Sequence, residues 1–480
     1  MKRVTIKNQR GLRSKKYSGR PTGGGGRLGI WRRLACWAVL ALCLAAGCRK
    51  KEKTPDLVIV SPHPDVAQKE FAAAFSAWHQ AHYGAPANIE WRDLGGGSAI
   101  TKTVRSLYGN SGASSGLDIY FGGGAPEHRY LAREGCLQPI ELPSELLAQI
   151  PATLNGVQQY DAKAGWYGAC VSSFGILYNA NLLAKANAEL PEPRRLPMPR
   201  RWDDLADPRM QGQTVAAGPE SSSGLACYEL MFQSAGPWPV GWKRLLPFWA
   251  NCQSFPDRAS ALPKRVHDGQ ALVATSIDYY AFSEIATAGP NELKFVLPED
   301  GVIFTPDPIS VLKGAPHLEM ARRFVQFVLS VDGQALWCLP AGTPGGPVNK
   351  TLFRQPINRV AYEKYARQFP PQLVNIFALN SQVILDEKLQ SARIPQVLPL
   401  LMKAAAIDNG ANLRQAWKRI IDKGCPPELM EEFLRLPENL ATEEAIYRTA
   451  AQLSQGDAQK IEEISNAWTD FFRAKYERIR

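Results

Sequence analysis

The sequence is poor in catalytic signatures. Its 480 residues contain no CxxC pair, no HExxH and no phosphate-binding P-loop. Dithiol redox chemistry, zinc proteolysis and nucleoside-triphosphate hydrolysis of the common kinds are therefore not expected. Histidine is scarce, at six residues. A hydrolase built on Ser222 and His63 is accordingly the weaker expectation. No repeat of fixed period is present, which sets solenoids and propellers aside.

A membrane-spanning length is missing from the N-terminal region as well. Leu34 to Ala46 is uncharged and mainly apolar. Its thirteen residues span about 20 Å as a helix, short of a hydrocarbon core of roughly 30 Å. Before it, the first 33 residues hold eleven Lys or Arg and no Asp or Glu. A basic region, a short apolar region and a small residue are the parts of a secretory signal. Residues 1–47 are expected to be that signal and 48–56 a tether. The stretch Leu44-Ala45-Ala46-Gly47-Cys48 resembles the bacterial lipobox. That resemblance implies acylation of Cys48, an anchor on a membrane, and Arg49 to Lys53 facing the membrane surface.

Net charge is then missing from the remainder. The whole chain carries +11, from 56 basic and 45 acidic residues. Without the leader, forty-five of each sign remain. A polyanion partner is not implied, and no nucleic-acid binding is expected. Besides Cys48, six cysteines stay in the exported part: Cys136, Cys170, Cys227, Cys252, Cys338 and Cys425. An oxidising compartment permits disulfides among them, with fifteen connectivities open. Buried thiols are the other reading.

What is present is an alternation of strands and helices. Leu57–Val60 reads as a buried strand, Asn88–Arg92 alternates like a second and Leu117–Phe121 is a third, each followed by helical spacing. Trp166–Val171, Phe174–Tyr178, Thr214–Gly218 and Leu272–Ser276 continue the style, and Leu318–Leu329 is amphipathic. This order predicts an α/β fold with parallel strands. Beyond about residue 375 helical periods dominate, broken by Pro395, Pro399, Gly410, Gly424 and Pro437.

Four stretches, VIVSPH at 58–63, LDIYFGGG at 117–124, GQALVATSIDYYAF at 269–282 and the region 315–334, appear in an order that resembles the bacterial extracellular solute-binding proteins of the iron(III)/spermidine/phosphonate type. The resemblance implies a two-lobed periplasmic-binding-protein-like fold of type II, without enzymatic activity. It implies lobe I at 57–150 plus 286–370, lobe II at 151–285, and a helical C-terminal extension at 371–480. It also implies a solute between the lobes and an ABC importer permease as partner. A sensing or adaptor role for the extension is the alternative.

Ligands of open α/β sheets sit beyond the C-terminal ends of strands. The loops there are small and polar, and each opens a helix whose free N–H groups favour an anion. They nominate Ser61, His63, Gly96, Gly97, Ser98, Gly123, Gly124, Ser222 and Ser223. Asp278, Tyr279 and Tyr280 end a further strand. Paired tyrosines resemble the phenolate ligands of iron-binding relatives, so His63, Tyr279 and Tyr280 are candidate ligands of Fe(III) as transported solute. Those relatives often place a carboxylate where this chain has Gly122–Gly124. Three glycines suit a phosphate ester or phosphonate instead. Both solutes stay open at this point.

Overall fold

The structure is a computed structural model and describes residues 55–111, 113–380, 383 and 385–479. The expected signal peptide, Cys48 and most of the tether lie outside the described residues.

Three short strands are paired side by side in parallel: β1 (Leu57–Val60) lies between β2 (Ile89–Arg92) and β3 (Ile119–Phe121). All four residues of β1 are buried, as a strand covered on both faces requires. The crossover helices Asp65–Tyr83 and Gly97–Ser111 connect them. Phe71 and Phe75 of the first helix pack with Ile59, Phe121 and Phe324. The helix stops at Gly84, whose φ of 76° suits a residue without a side chain.

The rest of the sheet is mixed rather than parallel. β11 (Phe304–Leu312) runs antiparallel between β3 and β7 (Tyr167–Asn179), with β4 (Leu137–Gln138) also on β11. β9 (Val273–Ile277) and β10 (Leu293–Val296) pair antiparallel with β7, and β8 (Thr214–Val215) joins β9 in parallel. β5 (Thr153–Leu154) and β6 (Val157–Gln158) form a separate hairpin. β11 was not anticipated because Pro306 and Pro308 interrupt its pattern. The register slips between Asp307 and Pro308, a bulge that accommodates the missing N–H groups.

The two short strands expected at 166–178 are one strand of thirteen buried residues. Its first half, Tyr167–Ser173, pairs with β11, and its second half, Phe174–Tyr178, pairs with β9. The chain thus changes from one half of the sheet to the other at Ser173–Phe174. It returns between Val296 and Phe304. Continuous burial of β7 hides the junction from any reading of hydrophobic breaks.

The C-terminal region is helical, as expected, and it is not a free appendage. Its helices include Gly410–Asp422, Pro427–Leu434, Glu443–Gln455 and Ala458–Ile479. Trp417, Phe433, Trp468, Phe472 and Tyr476 share one core with Tyr228, Trp238, Trp242 and Trp249 of the second half. Each such ring is worth about 1.5–3 kcal/mol of burial. The helix Trp238–Asn251 lies in this core and is buried nearly all round. Trp238 Nε1 donates to the Leu440 carbonyl (2.6 Å) and Trp242 Nε1 to that of Leu434 (2.8 Å). Glu229 and Arg393, 0% and 1% exposed, form a buried ion pair with Nη2 to Oε1 at 2.6 Å. The six described cysteines are unpaired, and all but Cys425 are buried.

Candidate functional site

The end of β1 turns through Ser61, whose hydroxyl accepts from the His63 N–H (3.1 Å). The His63 ring is buried against Phe121 edge-on (centroids 4.8 Å) and Trp337 (5.4 Å). Burial, aided by the charge of Arg354, pushes its pKa well below the usual histidine range, so the ring is neutral at pH 7. Nε2 has no hydrogen-bond partner among the described residues. It faces Gly122, where a Cβ would stand 2.6 Å from it. Gly122 also has φ of 93°, so glycine is required twice over.

β3 ends in Gly122-Gly123-Gly124, and Gly124 is the N-cap of the helix Ala125–Arg133 without a side-chain cap. The Glu127 carboxylate folds back on this terminus, where a Cβ on Gly124 would lie 2.6 Å from Oε2. It also reaches the neighbouring helix start, where a Cβ on Gly97 would lie 3.1 Å from Oε1. Burial raises its pKa. A carboxylate therefore occupies the place where an anion suits two helix N-termini. Gly96 and Ser98 are exposed beside it, and the Gly96 carbonyl accepts from Ala99 and Ile100 N–H.

On the other half, Asp278 follows β9 and is buried. Oδ2 accepts from the Ser173 N–H (2.9 Å) and hydroxyl (3.0 Å), and Oδ1 from the Tyr279 N–H (2.7 Å). It ties β9 to the crossing point of β7. Burial pushes its carboxyl up to about 6. The Tyr279 and Tyr280 rings are in contact, with centroids 4.2 Å apart. Burial holds the Tyr279 phenol well above its usual range, which disfavours a phenolate.

Arg354 joins the two groups. It is 4% exposed. It follows Phe353, which has φ of 55° and packs with Phe282 and Leu293 of the second half. The guanidinium carbon lies 3.5 Å from the Tyr279 ring centroid. Nη2 is 3.4 Å from His63 Nδ1, and Nη1 is 3.4 Å from the Ser172 hydroxyl. Asp307, turned inward at the β11 bulge, forms an ion pair with it. Sequence reasoning missed Arg354, Ser172, Ser173 and Asp307.

Residues 113–362 match the family model of the bacterial extracellular solute-binding protein. The chain belongs to that family. Its members bind small solutes for ABC transporters and are transport components rather than catalysts. The phosphoglycerate transport regulatory protein PgtC of Salmonella typhimurium is 26% identical over 276 residues, 57% of this chain and 62% of that protein. The chain thus spans about three fifths of the curated relative's length. Among solved structures, the periplasmic binding protein AfuA of Actinobacillus pleuropneumoniae, with fructose-6-phosphate bound, aligns at a TM-score of 0.53. Identity is 20%, covering 75% of this chain and 97% of that one. Iron-bound HitA of Pseudomonas aeruginosa aligns at 0.50 with 18% identity, covering 70% and 97%. These two likenesses establish the fold, that of a type II periplasmic binding protein.

Within this solute-binding fold, the nominated residues form two groups. Gly97, Gly123 and Gly124 lie around Tyr120 and Glu127, with His63 against Gly122 beside them, and Tyr279, which follows Asp278 and touches Tyr280, lies under Arg354. Ser222 and Ser223 start the helix Ser222–Ala235, but its cap is Ser221, whose hydroxyl accepts from the Gly224 N–H (3.2 Å). The parallel β8–β9 register puts this helix start at the same sheet end as Asp278. The remaining histidines serve the scaffold. His128, for example, bridges the Gly122 carbonyl and the Ser310 hydroxyl, both at 2.9 Å. Residues 112–116 spell GxSxG, yet Ser114 lies before β3 rather than at a strand-to-helix elbow, and its hydroxyl donates to the Gly314 carbonyl (2.6 Å). Among the described residues no three His, Cys, Asp or Glu side chains gather as for a metal, and no helix is long and apolar enough to cross a membrane.

Proposed function

We propose that this protein is an exported lipoprotein, anchored through Cys48, that captures a small phosphorylated organic anion between its lobes and delivers it to an ABC importer. The observation that carries the anion is Arg354. A guanidinium fixed between His63 and Tyr279 offers hydrogen-bond donors at the junction of the halves. The helix start after Gly122–Gly124 adds N–H groups once the Glu127 carboxylate that folds onto it gives way to the solute. The site residues we assign are Arg354, His63, Gly97, Gly123, Gly124, Tyr279 and Tyr280, with Ser222 and Ser223 approaching from the second lobe. The lobes meet at Ser173–Phe174 and at 297–303. The words printed for PgtC and AfuA, phosphoglycerate and fructose-6-phosphate, support the same solute class.

Fe(III) is the second reading, favoured by the paired tyrosines. A fixed cation touching both His63 and Tyr279 weighs against it, because it repels a metal ion.

Thermal shift with 3-phosphoglycerate, 2-phosphoglycerate, fructose-6-phosphate, inorganic phosphate and ferric citrate tests the proposal. A solute at 100 times its Kd adds about 2.7 kcal/mol of stability. A shift with a phosphorylated acid or sugar, lost in Arg354→Ala, supports it. A shift with ferric citrate alone, with a phenolate absorption band, sinks it.

A further inference from the structure

We propose that the C-terminal helical region is a latch that holds the two halves of the protein closed through an ion pair between Arg129 and Glu387. This rests on the two-lobed reading above but needs no solute for its test, so its failure and that of the anion reading are told apart.

Arg129 belongs to the first half. It lies on the helix Ala125–Arg133, which begins at the Gly122–Gly124 loop of the site. Its Nη1 is 2.7 Å from Glu387 Oε1, and its side chain is 18% exposed. Arg133, one turn along, repels it, while Glu127 and Glu387 attract it. Glu387 opens the helix Glu387–Ala392, capped by Asp386 through the Lys388 and Leu389 N–H groups (2.8 and 3.1 Å).

That helix is fastened to the second half at both ends. Asp386 exchanges hydrogen bonds with Gln233 of the helix Ser222–Ala235. Arg393, just past the other end, holds Glu229 of that same helix. Behind it the helices between Val397 and Ile479 share the core of the second half. Glu387 thus moves with the second half and Arg129 with the first. A rotation about Ser173–Phe174 and 297–303 that separates the helices Ala125–Arg133 and Glu387–Ala392 breaks the pair. The family match ends at residue 362, before Glu387.

Hydrogen–deuterium exchange of the purified, solute-free protein reads the latch directly. In Arg129→Gln and in Glu387→Gln, peptides covering 172–174 and 278–280, remote from the pair, exchange about two- to tenfold faster. The charge-swapped Arg129→Glu, Glu387→Arg double variant returns them toward wild type. A cooperative melt of each variant confirms folding, and Glu387→Gln, on a half-exposed residue, is the variant least able to disturb it. Faster exchange confined to 125–133 and 387–392, or no change, overturns the latch and leaves a local surface pair.

Discussion

The guanidinium of Arg354 lies over the ring of Tyr279, 3.5 Å from its centroid, and touches His63 with its other edge. One residue from a loop without regular structure thereby links the end of β1 to the end of β9. Cation–π attraction over a desolvated ring is worth up to about 2 kcal/mol. With the Asp307 pair it fixes the guanidinium plane before any solute arrives.

Asp278 gives the protein an acid-side stability dependence of unusual sign. Its carboxyl, at about 6, lies above the roughly 3.9 of an unfolded aspartate. The folded chain binds this proton more tightly than the unfolded chain. Its contribution is therefore fullest at low pH and is lost as pH rises between about 4 and 6. Asp278→Asn lowers stability overall, because its amide meets the Ser173 N–H, but it removes that slope. Melting temperatures from pH 4 to 7 for both proteins measure the difference. A difference that grows as pH rises would contradict it.

Gly122 and Gly96 were read from sequence as parts of similar loops, and they differ physically. Gly122→Ala places a Cβ 2.6 Å from His63 Nε2 at φ of 93°, and should cost about 1–3 kcal/mol or more. Gly96 has open space around it, and Gly96→Ala should stay within about 0.5 kcal/mol. Urea denaturation of the two variants distinguishes them. Equal losses would mean that the His63–Gly122 contact is not as described.

Removing Arg393 leaves the Glu229 carboxylate buried without a counter-charge. Arg393→Met should destabilise the protein by about 3–5 kcal/mol. Truncation at residue 376 should go further, exposing Trp238, Trp242 and Trp249 and removing soluble protein. A soluble, cooperatively melting truncation would show that the second half folds without its C-terminal cover.

The legible parts of the fold were those with local signals. Leu57–Val60, Val273–Ile277 and Leu318–Leu329 announce themselves by apolar runs or helical spacing, and Gly122–Gly124 by its composition. β11 was hidden by two prolines, and the helix Trp238–Asn251 by Pro247 and by apolar residues on every face. The helical character of the C-terminal region was readable, but its partner was not, because docking is a long-range matching of surfaces. Arg354 carried no signal at all. Its loop, Thr351 to Asn358, has no periodicity. What makes it central is the positive φ of Phe353 and the meeting of three distant segments.

Isothermal titration of 3-phosphoglycerate into wild-type protein and Arg354→Ala measures what the guanidinium contributes to anion capture. Hydrogen bonds to a charged group contribute about 1.5–3 kcal/mol, so the variant should bind roughly ten- to a hundredfold more weakly at unchanged one-to-one stoichiometry. Equal affinity in the two proteins, or wild-type protein that takes up only Fe(III) and loses it in Tyr279→Phe, would contradict the account.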